Sequence, residues 1–225
     1  MGQLQYTRMM ENFFGHELMN ICVEVSKTMN SNINQLSDNE SMFYINYAGG
    51  DDLVIMGPAS GILELSKVIN ERFSEYTLNK NITISGGITI QSPSAPIRFG
   101  IKEAEEYLNQ SKILYGKNGI TLIHTSCKMN EYEQVLEQVN VFRKYITNQD
   151  ISRSNFYNMM KVLDVENMEK YYRNIPILLY SLKRNVKNKD VRQDLISKIS
   201  MVNMNCDQLK KLVLEMKLAI MQTRG

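Results

Sequence analysis

The apolar positions of residues 1–125 change period repeatedly, whereas those after Met129 keep the three-and-four spacing of helices throughout. Between residues 5 and 29, Met9, Met10, Phe13, Phe14, Leu18, Ile21, Cys22 and Val25 fall at helical spacing, which predicts an amphipathic helix docked on a sheet. Residues 30–40, rich in Asn and Ser, form a loop. In residues 42–57, MFYINYAGGDDLVIMG, Phe43, Ile45 and Tyr47 alternate with Tyr44 and Asn46, and Leu53, Val54, Ile55 and Met56 are apolar enough for burial on both faces. The stretch reads as a β-hairpin that turns at a glycine pair. Gly57-Pro58 stops its second strand, and Ile62, Leu63, Leu65, Val68, Ile69 and Phe73 mark a helix ending near Thr77. Residues 81–90, NITISGGITI, predict a strand, with Gly86-Gly87 marking a bulge or a close approach. SPSAPIRF is loop, Ile101 to Leu114 is a third helix, and GKNGITLIHT, residues 116–125, closes with a short strand.

In order, residues 1–125 run helix, strand, strand, helix, strand, helix, strand. The fold class is therefore α+β, a ferredoxin-like split βαβ pattern without its first strand. In that pattern the opening strand lies centrally, so the chain reads as one that begins late, with unpaired backbone groups beside the gap. Residues 126–225 predict an all-α bundle of four or five helices, with Pro176 kinking one of them or starting a new one. Within it Tyr171, Tyr172 and Tyr180 lie near Arg173, Lys183 and Arg184, a mixture that suits either a nucleic-acid strand or a bundle surface closed by amphipathic tyrosines.

Charge sharpens this division. Residues 1–124 carry 9 basic against 13 acidic side chains, and residues 125–225 carry 17 against 11. The helical half is the basic half, as expected of a surface that meets an anionic partner or of solvated helix faces. Cys22, Cys127 and Cys206 are far apart and lack CxxC spacing, so they predict buried free thiols rather than disulfides or zinc. No apolar run approaches the roughly 18 residues of a membrane span and no signal peptide is recognisable, which points to the cytoplasm and away from membranes. His16 and His124 have no evident partner in the sequence.

The hairpin turn carries the candidate chemistry. Gly49 and Gly50 can adopt positive φ and leave room for an anionic group against the backbone. Asp51 and Asp52 follow at once, and adjacent carboxylates are tolerated where a divalent cation neutralises them; hard oxygen ligands suit Mg2+ or Mn2+. This predicts a metal site handling nucleotide phosphates, against the alternative of a solvated Asp-rich turn.

Taken as an ordered set, YAGGDDLVIMGP, ITISGGITIQSPSAPI and GKNGITL resemble the second palm domain of the large subunit of type III CRISPR effector complexes. YTRMMENFF resembles the helix before that domain's hairpin, and YYRNIPILLYSLKRN part of the C-terminal helical domain. The resemblance implies a nucleotidyltransferase palm that converts ATP to cyclic oligoadenylate when the complex binds target RNA. It makes Asp51 and Asp52 the catalytic metal ligands, Gly49 and Gly50 the space for the triphosphate, Ser85 a residue near the nucleotide and Lys117 a phosphate contact. It also implies other complex subunits, guide RNA and target RNA as partners. The family's nuclease-like domain, first palm, zinc segment and the strand bearing a further metal-binding acid are not visible here, which leaves a separate N-terminal half among the expected partners and implies little activity for this chain alone.

Two rival readings use the same residues. A diguanylate cyclase shares the palm, but Leu53 follows Asp52 where that signature expects Glu and then Phe. A non-catalytic structural subunit would leave the aspartates vestigial and bind RNA or neighbouring proteins through the helical half.

Overall fold

The structure is a computed structural model that describes residues 3–29, 40–50, 52–163, 168–201 and 206–223. The chain separates into two compact units, Met1–Tyr132 and Glu133–Gly225.

The first unit opens with a long helical run, α1 (Gln3–Asn12), a π-helical turn (Phe13–Glu17) and α2 (Leu18–Met29). The wide turn closes with the Leu18 N–H on the Phe13 carbonyl, and both adjacent phenylalanines face the core. Phe13 meets Phe73 edge-on at 5.1 Å, which locks this run onto α3 (Ala59–Thr77). Arg72 on α3 also grips both carboxylate oxygens of Glu24 on α2. The predicted loop at 30–40 falls almost entirely outside the described residues.

Strands β1 (Tyr44–Gly49) and β2 (Asp52–Met56) form the predicted antiparallel hairpin. Its register shifts between Ile45 and Tyr47, a bulge that breaks the expected alternation. Phe43 is buried and Ile45 is half-buried, but Tyr47 turns outward and is 54% exposed. Leu53–Met56 are half-buried rather than covered on both faces, because the hairpin is a two-stranded sheet with open outer edges.

The second sheet has the order β3-β4-β5, with β3 (Gly86–Ile88) parallel to β4 (Gly119–Leu122) and β4 antiparallel to β5 (Thr125–Lys128). The strand expected over 81–90 is thus confined to three residues. Ile82 and Ile84 still pack on the hydrophobic cluster that holds Phe13, Leu65 and Ile45, yet residues 82–85 find no strand to pair with. Between the sheets' strands in sequence, α3 and α4 (Ile97–Tyr115) supply the helical layer. Gly87 is the close approach foreseen from the sequence: a Cβ there would sit 2.1 Å from the Ala104 carbonyl oxygen and 2.4 Å from the Leu108 nitrogen of α4. The fold is α+β, a ferredoxin-like palm followed by a helical region.

The boundary between units lies within α5 (Met129–Thr147), and the second unit continues with α6 (Arg153–Val162), α7 (Met168–Asn185), α8 (Lys189–Met201) and α9 (Cys206–Gln222). α9 is buried almost all round, as the central helix of a bundle should be. Pro176 neither ends α7 nor begins another helix. The carbonyl it deprives of its helical partner belongs to Tyr172, a residue that is 43% exposed. No described helix is long and apolar enough to cross a membrane.

Candidate functional site

The hairpin tip brings Gly49 opposite Asp52. Its two glycines have different reasons to be there. Gly50 takes φ +61° with open space around it, so the turn's backbone demands it. At Gly49 a Cβ would lie 2.7 Å from the Tyr47 hydroxyl oxygen and 2.9 Å from Cζ, so the outward-turned tyrosine ring folds over this glycine. Asp51 lies outside the described residues. Asp52 is exposed, and no hydrogen bond or ion pair to it occurs among the described residues. Among the described residues no group of three His, Cys, Asp or Glu is arranged to hold a metal ion.

Ser85 and Lys117 lie on the segments that lead into β3 and β4 of the other sheet. β3 and β4 run parallel with Gly86 beside Ile120, so residues just before each strand share one end of the ladder. The Thr83 hydroxyl donates to the Lys117 carbonyl at 2.6 Å and ties these two lead-in segments. Ser85 Oγ is buried and has no hydrogen-bond partner among the described residues, an orphaned polar atom of the kind a bound ligand satisfies. Lys117 is exposed with φ 68°, immediately after Gly116 at φ 61°; the two left-handed residues end α4.

A polar network that sequence reasoning missed lies on the face of α4. Glu103 accepts hydrogen bonds from Thr89, from Gln91 Nε2 at 2.6 Å and from the Tyr107 hydroxyl at 3.0 Å. The Thr89 bond above all, then those of Tyr107 and Gln91, holds the Glu103 carboxyl below the usual carboxylate range against the opposing effect of burial. Tyr107 is pushed up to about 12 by burial and by Glu103, and its hydroxyl lies 3.1 Å from His124 Nδ1. His124, which had no partner in the sequence, is therefore held by a tyrosine 17 positions away. It sits with Ile123 in the β4–β5 turn, where both have positive φ, 59° and 47°. The only sequence signal for the network was the helical spacing of Glu103 and Tyr107.

The remaining candidates are structural. Cys22 and Cys127 are buried free thiols and Cys206 is a half-buried one. Burial pushes the Cys22 thiol up to about 11. Tyr171 is buried, its hydroxyl donating to the Ile199 carbonyl, so of the three tyrosines considered for nucleic acid only Tyr172 and Tyr180 remain exposed.

Comparison with known proteins places this geometry in a family. The family model of the Cas10/Cmr2 second palm domain matches residues 3–121. The Cas10/Csm1 single-strand-specific deoxyribonuclease of the subtype III-A CRISPR system from Mycobacterium tuberculosis is 36% identical over 76 residues, covering 34% of this chain and 9% of that protein. The Streptococcus thermophilus protein of the same description is 28% identical over 170 residues, covering 71% of this chain and 22% of its own length. The chain thus spans about a fifth or less of these two relatives. A Csm1–Csm4 cassette crystallised with cA4 has a chain that superposes with a TM-score of 0.62 at 18% identity, over 95% of this chain and 32% of its own, which establishes likeness of fold. With more than half of its residues matched, the chain belongs to the Cas10/Cmr2 family of type III CRISPR large subunits and carries that family's second palm domain.

Proposed function

We propose that residues 1–125 are the palm of a nucleotidyltransferase that joins ATP into cyclic oligoadenylate within a type III CRISPR effector complex, with residues 126–225 as the helical domain that docks it there. The observation that carries the reading is the hairpin tip: an acid exposed beside two glycines, with no cation paired to it among the described residues, in a chain matched by a Cas10/Cmr2 palm family model. The donor set fits a hard divalent ion. Asp51 and Asp52 would hold Mg2+ or Mn2+, which lowers the pKa of an attacking ribose hydroxyl and offsets charge on the α-phosphate and departing pyrophosphate. The chain's own part is positioning. Gly50 sets the turn that presents the acids, Gly49 keeps the backbone approachable beneath the Tyr47 ring, Ser85 offers an unsatisfied hydroxyl, and Lys117 offers a cation at the same end of the β3–β4 ladder.

That β2 and β3 end their sheets among the described residues favours a second reading for the chain in isolation, in which it serves as a scaffold until the facing palm completes the site. That reading draws on the same subunit and RNA partners. The relative solved with cA4 is a Csm1–Csm4 cassette, which supports docking to other complex subunits.

The test is a nucleotide-dependent thermal shift in Mg2+ or Mn2+, since a ligand that binds only the folded state raises its stability by mass action. ATP should shift the melting temperature more than GTP. The double substitution Asp51→Ala with Asp52→Ala should abolish the metal-dependent part and leave the helical unit folded. A larger shift with GTP would favour cyclic-diguanylate chemistry. An unchanged shift in the double variant would remove the metal assignment.

A further inference from the structure

We propose that the helical unit carries its own binding site for a free nucleoside monophosphate, separate from the palm and independent of its reaction. The site is a cavity of about 600 Å³ within the second unit, lined by the end of α5, the loop that follows it, the start of α6 and the end of α9. Pockets that hold small organic ligands have volumes of about 300–1,000 Å³, so one nucleotide fits. Its loop wall is fixed before any ligand arrives. The Asp150 and Ile151 amides both donate to the Tyr145 carbonyl, at 3.0 and 3.3 Å, and the Asn188 side-chain amide donates to the Asp150 carboxylate at 2.8 Å.

The lining selects the ligand's chemistry. Arg143 and Arg153 both line the cavity and are exposed, and neither guanidinium has an ion pair or hydrogen bond among the described residues. No acid lines the cavity among the described residues. Two guanidinium groups match the nearly two negative charges of a phosphomonoester at neutral pH and offer forked donors to its oxygens. Beside them Ser152 Oγ accepts from the Asn155 amide at 3.2 Å, which leaves its own proton for a phosphate oxygen. Ile146 and Ile151, both buried, make part of the lining apolar. The lining also includes Gln222, whose amide oxygen is buried without a hydrogen-bond partner among the described residues. A buried acceptor calls for an N–H donor, which the amino group of a nucleobase supplies while the flat ring covers the isoleucines. A bare anion would answer the arginines alone. A nucleic-acid strand needs a groove that tracks its backbone rather than a closed-off cavity.

Isothermal titration calorimetry of the full chain with AMP tests this, in EDTA so that metal-dependent binding at the hairpin is silent. AMP should bind, and purine riboside 5′-monophosphate, which lacks only the amino group, should bind about tenfold more weakly. Inorganic phosphate should be weaker still. Arg143→Gln with Arg153→Gln should weaken AMP by more than about tenfold, and both residues are exposed, so circular dichroism should show unchanged folding. Gln222→Met nearly keeps the side chain's volume but removes the acceptor, and should bring AMP down to the level of the analogue without the amino group. The proposal is overturned if AMP does not bind at up to about 1 mM, if the double arginine variant binds it as the parent does, or if the two purine nucleotides bind equally. It is overturned equally if inorganic phosphate binds as tightly as AMP, which would make this an anion site only, or if single-stranded RNA occupies the cavity more tightly than AMP.

Discussion

Replacing Gly87 by Ala tests the central packing of the palm. The new methyl carbon would lie 2.1 Å from the Ala104 carbonyl oxygen and 2.4 Å from the Leu108 nitrogen, and both belong to the backbone of α4. Neither can rotate aside. To restore a van der Waals separation α4 must retreat by more than about 1 Å, and a gap of that size forfeits a quarter to a half of the dispersion attraction across the contact. Overpacking by one methylene typically costs 1–3 kcal/mol, and rigid atoms on both sides put this case at about 3 kcal/mol. For a unit of this size, with an unfolding entropy of about 2.1 cal/mol/K per residue, the melting temperature should fall by about 10 °C. Gly86→Ala is the control, since its Cβ would meet only the Ile120 side chain, at 3.2 Å, and should cost less than about 1 kcal/mol. Urea and thermal unfolding followed by circular dichroism would measure both. If Gly87→Ala melts within about 2 °C of the parent, the close β3–α4 approach is not what holds this glycine in place.

Two further predictions concern pH. Glu103 has its carboxyl lowered below 4.5, so its contribution is present above the unfolded value and is lost as pH falls through the lowered one; Glu103→Gln should be about 1 kcal/mol less stable at neutral pH and lose less stability on acidification, as urea midpoints at the two pH values would show. Glu215, buried on α9, is pushed up from 4.5 to about 8, the opposite sign: its folded form keeps the proton, so stability falls as pH rises from about 4.5 to 8, by at most about 5 kcal/mol. Glu215→Gln should flatten that decline and melt higher than the parent above pH 8; a parallel decline in both proteins would show that the carboxyl finds a cation or water that the bundle leaves room for.

The hairpin, the palm helices and the five helices that follow were legible because each writes its own period into the sequence. What stayed hidden depends on partners distant along the chain. β5 spans only TSCK with one fully buried side chain, and it is turned by Ile123 and His124 in left-handed conformations that no glycine announces. NITISGGITI has the alternation of a long strand, but strand pairing needs a neighbour, and only Gly86–Ile88 has one in β4. The bulge that swings Tyr47 over Gly49 leaves no mark in composition. At the candidate site the sequence supplied residue types and the turn. It could not supply the orphaned hydroxyl of Ser85, which is a matter of what fails to reach it.

The open flanks of β2 and β3 bear on how this polypeptide behaves when produced alone. Among the described residues each is the last strand on one side of its sheet, and β2 carries half-buried aliphatic side chains there, an arrangement that can template cross-chain pairing. Solutions of the isolated protein should therefore grow turbid or oligomeric with concentration. An extended peptide of alternating apolar residues that seats along either flank should keep them clear.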